Sequence, residues 1–282
     1  MKRTIALALA LLLLALAGCG GAQTDAQADA PTASAPEAAS AAAENEACRV
    51  TIALREQTDA AVTFGLTMEN RTDAQLTVIA DLVGFNGVLL FSETFTAMEL
   101  VDAGASAETT VAVDLATLGE YGISDVASAD CSVVAIDDAG TTGLEDTQRC
   151  VLRADAAPET PAAPECEQVL LEQDGVRLSI GGGHTDAYGD YAVLLRCENA
   201  ADGDVQVSME QFAYNGHEAD EYSLFIVPAG GAGYAKVRIS ADVLALMGLT
   251  VDDLTELSFS LRAERLEPQT VLAEQSVSYA LQ

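Results

Sequence analysis

Short runs of alternating apolar and polar residues fill most of the chain. Between residues 50 and 154 they read "VTIAL", "AVTFGLTM", "QLTVIADLVGF", "VLLFSETF", "ETTVAVDL", "SVVAI" and "RCVLRA". They are rich in β-branched residues and are separated by Asn, Asp and Gly, the period-2 pattern of half-buried strands. Their spacing predicts antiparallel strands stacked as a β-sandwich. Two stretches break the alternation. "DLATLGEYG" (114 to 122) and "SADVLALMG" (240 to 248) each predict one short helix between the fifth and sixth strands. Asp114 or Ser240 can cap its start, and Gly122 or Gly248 supplies a left-handed stop.

Two segments lack the apolar residues that folding needs. Gly20 to Ala47 contains no Val, Ile, Leu, Met or aromatic residue, and "ADAAPETPAAPE" (154 to 165) is a second low-complexity stretch. With nothing to bury, the first reads as a disordered tether. The second divides the remainder into two similar parts, which prove to be copies. "LTMENRTDAQLTV" (66 to 78) lies over "LRCENAADGDVQV" (195 to 207), and "GFNG" (84 to 87) over "AYNG" (213 to 216), at one offset of 129. Seven of 26 positions match over 62 to 87, against roughly two by chance at average composition. With three residues dropped, "VDAGAS" (101 to 106) continues over "VPAGGA" (227 to 232). Asn86-Gly87 and Asn215-Gly216 supply the two positive-φ positions of a tight hairpin. The expected fold is therefore all-β: two tandem sandwiches, copy 1 at 48–153 and copy 2 at 166–282, joined by a linker at 154–165.

The N-terminus carries a different signal. Lys2 and Arg3 precede an apolar run of 13 residues, Ile5 to Ala17, too short to span a bilayer and typical of a signal peptide. It ends in Leu16-Ala17-Gly18-Cys19, which resembles the lipobox of bacterial lipoproteins. The resemblance implies cleavage after residue 18, a diacylglyceryl group on the Cys19 thiol, and extracytoplasmic anchoring to the cell membrane. Two acyl chains suffice for stable attachment where one does not. Residues 19–47 would then be a lipidated leash with a reach of about 30 Å.

The repeat itself, Glu69-Asn70-x-x-Asp73 through Asn86-Gly87 and Glu198-Asn199-x-x-Asp202 through Asn215-Gly216, resembles the immunoglobulin-like, telokin-like domains that recur in lipoproteins of Gram-positive bacteria. That resemblance implies a fold and a location, with no catalytic residue to carry over.

Charge narrows the partners. Thirteen basic residues stand against 44 acidic ones, a net charge of −31, which repels phosphate backbones and argues against nucleic acid. Apart from Lys2, the one lysine is Lys236. Cys48, Cys131, Cys150, Cys166 and Cys197 remain beyond Cys19, and an exported chain can oxidise them. Cys131 with Cys150 is the favoured disulfide and Cys166 with Cys197 a second, with pairings of Cys48 to Cys150 or Cys166 left open.

The two histidines lie in copy 2. "GGGHTDAYGDY" (181 to 191) puts His184, Asp186 and Asp190 on a glycine-rich loop, and "NGHEADE" (215 to 221) puts His217 beyond the hairpin. If the two loops met, imidazoles and carboxylates would be offered to a divalent cation. There is no H-E-x-x-H, EF-hand, G-x-S-x-G or P-loop pattern, so no catalytic residue and no cofactor is assigned. The leading expectation is a membrane-anchored, non-enzymatic lipoprotein that binds or spaces a protein or envelope polymer. The alternative is a small-ligand or cation receptor built on His184, Asp186, Asp190 and His217.

Overall fold

In the first half of the chain the alternation becomes β1 (Ser40–Glu44), β2 (Cys48–Gln57), β3 (Ala61–Asn70), β4 (Leu76–Phe85), β5 (Val88–Leu90), β6 (Thr96–Val101), β7 (Ser106–Asp114), the helix α1 (Leu115–Gly119), β8 (Ser128–Asp137) and β9 (Thr142–Val151). The second half contributes β10 (Gln168–Gln173), β11 (Val176–Thr185), β12 (Tyr191–Asn199), β13 (Val205–Tyr214), β14 (His217–Val227), β15 (Ala232–Ile239), the helix α2 (Ala241–Leu246), β16 (Glu256–Arg265) and β17 (Thr270–Ala280). This computed structural model describes residues 40–140, 142–152, 159–165, 167–186 and 189–281. Cys19, the lipobox, the tether up to residue 39 and Cys166 lie outside the described residues. Among those described, no helix is long and apolar enough to cross a membrane.

The molecule is all-β and sandwich-like, built of three sheets. One has the order β1-β2-β3-β7 and another β14-β13-β16-β17. Between them a nine-stranded sheet runs β10-β11-β12-β15-β5-β4-β8-β9, with β6 also paired to β4. The first sheet and the β4, β5, β6, β8 and β9 side chains enclose one core around Phe64, Leu66, Met68, Leu82 and Phe85. β11, β12 and β15 close a second core against β13 and β16 around Ile180, Leu195, Met209, Phe212 and Leu261. The middle sheet thus serves both cores, facing a different outer sheet in each half.

The repeated Asn residues explain themselves once the strands pair. Asn70 is 2% exposed, and its Nδ2 donates to the carbonyls of Ala74, Val101 and Asp102. Asn199, also 2% exposed, donates in the same way to Gly203, Val227 and Pro228. One amide group thus satisfies carbonyls of two separate segments, which would otherwise be stranded inside the protein. Asn86 and Asn215 do more than turn the chain. With φ of 54° and 50° they open the β4–β5 and β13–β14 hairpins. Their side chains also accept from Ala127 and Ser128, and from Thr255 and Glu256, at the starts of β8 and β16.

Several expectations are corrected. "VLLFSETF" is strand only over Val88–Leu90, because at Phe91 the backbone leaves β4 and bonds to Tyr234 instead (N to O, 2.8 Å). A separate strand, β6, follows it. α1 lies between "ETTVAVDL" (β7) and "SVVAI" (β8), but β7 is the seventh strand of its half because β1 and β6 precede it, and α2 follows the sixth strand of the second half. Their caps are those expected: Asp114 accepts from Ala116 N, and Ser240 from Asp242 N. Ser40–Glu44, assigned to the tether, pairs with β2 from Ser40↔Ala53 to Glu44↔Arg49. An edge strand needs only backbone partners and one small inward side chain, here Ala43. "GGGH" belongs to β11 and is not a loop, since Gly183 and His184 pair with Val193 and Ala192 of β12.

Candidate functional site: the seam between the two halves

The halves meet edge to edge. β15 pairs in parallel with β5, Gly233↔Leu89 and Tyr234↔Leu90. A Cβ on Gly233 would come within 2.2 Å of the Leu89 carbonyl oxygen, so only glycine admits β5 at that distance. Ser92 Oγ accepts from the Lys236 amide (2.8 Å), extending the contact beyond the ladder. Phe91 stacks on Phe225 with centroids 5.1 Å apart, so the cores interlock as well.

Lys236 is the chemical centre of the seam. Its side chain is 3% exposed, and Nζ donates to Glu93 Oε1 (2.7 Å) and Glu120 Oε2 (2.6 Å), both from the first half. The ammonium also lies 4.9 Å from the Tyr121 ring centroid, a cation–π distance. Tyr121 donates its hydroxyl to Glu93, and His184 Nε2 stands 3.4 Å from Glu120 Oε2. Burial alone would push the Glu120 carboxyl up. The hydrogen bond and charge of Lys236, with those of His184, outweigh it and hold Glu120 below the ordinary carboxylate range. Burial, reinforced by Glu93, pushes the Tyr121 phenol well up, which fixes it as a donor. The lone lysine of the folded part was the available sign of this cluster, while Glu93, Glu120 and Tyr121 carried none.

The linker seals one side. The Gly182 amide donates to Glu165 O (2.7 Å), and Tyr234 donates its hydroxyl to Ala162 O. A Cβ on Gly181 would sit 2.6 Å from that Glu165 carbonyl. The glycine run is therefore the bed on which the linker lies. On another side, Val83, Leu89, Phe91, Leu224, Ile226 and Pro228 line a cleft of about 450 Å³ alongside β14.

Three of the four candidate cation ligands have other partners. His184 faces Glu120. Asp186 pairs with Arg238 (3.3 Å) and accepts from Asp190 N. Asp190 accepts from Ala241 N and so supports the start of α2. His217 is exposed at the start of β14, opposite Tyr214. Among the described residues no three Asp, Glu, His or Cys side chains gather as a metal-holding group.

Cys48, Cys131, Cys150 and Cys197 are all buried. Cys131 lies opposite Gln148 and Cys150 opposite Ala129, which makes the two cysteines diagonal neighbours on β8 and β9. Burial, with help from Asp81 and Cys150, pushes the Cys131 thiol up to about 12, and burial raises Cys197 further still. Thiols so disfavoured as thiolates are poor nucleophiles.

No family model matches the chain, and no curated protein matches it. Among solved structures it is similar to a red sea bream transglutaminase at 9% identity, covering 82% of this chain and 31% of that one with a TM-score of 0.23. It is also similar to the exo-chitosanase CsxA of Amycolatopsis orientalis at 14% identity, covering 81% of this chain and 26% of that one with a TM-score of 0.21. The chain spans less than a third of either structure, and at such scores neither carries an argument about fold or function.

Proposed function

We propose that the protein is a lipid-anchored, non-enzymatic lipoprotein of the cell envelope, in which two tandem immunoglobulin-like sandwiches act as one rigid module that binds or spaces a protein or envelope polymer. Cys19 would carry the lipid, and the segment behind it would hold the module clear of the headgroups. The observation that carries the reading is the seam. Lys236, Glu93, Glu120, Tyr121 and His184 come from both halves and contact one another across the seam. Two copies fixed in one orientation present their loops and strand edges as one constant surface, which suits contact rather than turnover.

Fractionation of cells expressing wild type and Cys19→Ala tests the anchoring. The wild type is expected in the membrane pellet and the variant in the soluble or unprocessed fraction, with the same melting temperature. A variant that loses its first 18 residues and still partitions into detergent, as a lipidated chain does, would overturn the assignment of Cys19.

A further inference from the structure

The internal repeat shows an edge segment that is filled once, at Val88–Leu90, and open in its counterpart at residues 217–219; the stretch beyond it, β6 in the first half and residues 222–227 in the second, has no second strand partner in either half among the described residues. In the first half, the edge beyond β4 is β5 followed by β6. In the second half the same position is one continuous strand, β14. The registers fix the correspondence. Val88 pairs with Phe85 as His217 does with Tyr214. Met98 pairs with Ile79 and Leu100 with Thr77, as Leu224 pairs with Ser208 and Ile226 with Gln206. β5 receives β15 on its outer side. Its counterpart β14 has β13 as its one pairing partner among the described residues, and its other edge offers unpaired backbone groups.

That edge also displays side chains that folding does not account for. Tyr222, Leu224 and Ile226 are 62%, 46% and 43% exposed on alternate residues of one face, beside the cleft lined by Leu89 and Phe91. Towards the hairpin the same face carries Glu218 and Asp220. An open edge flanked by an apolar stripe and carboxylates is a template for strand addition, and its charge selects against anionic strands.

The filled seam indicates what fits the open one. β15 reads Gly233-Tyr-Ala-Lys236-Val-Arg238-Ile: a glycine at the close approach, and a cation, Lys236, that meets carboxylates on the receiving side, while Arg238 pairs with Asp186 of its own half. A second copy of this chain offers its own open edge, β7, as the equivalent of β15. The register places Ala107 where β15 has Gly233 and Thr110 where it has Lys236. Glu108 of that strand would approach the carboxylates of β14, in a chain of net charge −31. Self-addition is therefore disfavoured by both shape and charge.

We propose that the outer edge of β14 binds an extended cationic peptide segment of another protein, added as a parallel strand with its apolar side chains against Leu224 and Ile226. This deepens the binding role proposed above but needs no lipid, so the Cys19→Ala result does not bear on it.

The test titrates the full 282-residue chain into a fluorescent peptide copying β15, GYAKVRI. Comparison peptides copy β7 (AETTVAV) or carry N-methyl groups on alternate amides of GYAKVRI. Saturable binding of GYAKVRI alone is expected, weakening as salt rises. Leu224→Ser/Ile226→Ser and Glu218→Lys/Asp220→Lys should each weaken it at least about tenfold, with melting temperatures unchanged because all four side chains are exposed or half-buried. Equal binding of the N-methylated peptide would reduce the effect to bulk charge and overturn strand addition. Absence of binding, or binding untouched by the β14 variants, would overturn the site. A dimer of the chain alone that the Leu224→Ser/Ile226→Ser variant dissolves would give the edge to a second copy and overturn the choice of partner.

Discussion

Replacing Lys236 by Ala removes the cation bonded to both Glu93 and Glu120 across the seam. Those carboxylates are 14% and 26% exposed, so neither regains a full hydration shell when the ammonium is gone. Breaking a buried ion pair from one side costs on the order of 3–5 kcal/mol. The buried methylenes of the lysine stem add to that, while the partial exposure of Glu120 subtracts, and a loss of about 4 kcal/mol is expected. At about 2–4 °C per kcal/mol for a unit of this size, the melting temperature should fall by roughly 10 °C. The location of the damage gives a second signature. Because the lysine joins β15 to the first half, the variant should melt in two steps where wild type melts in one. Thermal and urea unfolding by circular dichroism reads both quantities. A Lys236→Ala/Glu120→Gln double variant adds the sign, since removing one stranded charge should restore about 1 kcal/mol. A loss below about 1 kcal/mol for the single variant, or no recovery in the double, would refute the reasoning that the lysine is held by those two carboxylates.

Three further outcomes follow from the same geometry. Gly233→Ala places a Cβ 2.2 Å from the Leu89 carbonyl and should uncouple the halves, seen as two melting steps with both cores intact. Asn199→Ala strands the carbonyls of Gly203, Val227 and Pro228, and equilibrium urea unfolding should show a loss of about 2–4 kcal/mol. The depressed Glu120 gives a pH window. Because its folded pKa lies below the ordinary 4.5, its contribution is present above that value and lost as pH falls through the folded pKa. The stability gap between wild type and Glu120→Gln should therefore be constant above about pH 5.5 and close below pH 4.5; a gap that widened on acidification would contradict the seam electrostatics.

Local signals in the sequence were sufficient for local structure. The alternation located most strands, and Asp114, Ser240, Asn86-Gly87 and Asn215-Gly216 act where turn and cap chemistry placed them, because these choices depend on a few neighbouring residues. The repeat marked Asn70 and Asn199 as paired positions but gave them no task. Their work is to satisfy carbonyls of distant strands, which no local pattern displays.

What lay beyond the sequence depends on contacts between the halves. "VLLFSETF" alternates like a strand, yet β15 draws its middle away from β4. "GGGH" has loop composition, yet its glycines are needed because the linker lies against them. Gly233 looks like an ordinary interruption of a strand until Leu89 is placed opposite it. His184 and Asp186 resembled ligands by type and spacing, but their neighbours Glu120 and Arg238 come from other elements. Ser40–Glu44 has almost nothing apolar to reveal it, since an edge strand is specified by backbone pairing.

The seam is tested most directly by native-state hydrogen exchange at two amides, Phe91 N–H, bonded to Tyr234 O, and Lys236 N–H, bonded to Ser92 Oγ (both 2.8 Å). If β5 and β15 form one continuous sheet, both amides should exchange as slowly as that of Leu195 in the interior of β12. Exchange of Phe91 and Lys236 at the rate of an exposed loop, with Leu195 still protected, would mean that the halves are separate bodies and would contradict the single rigid module.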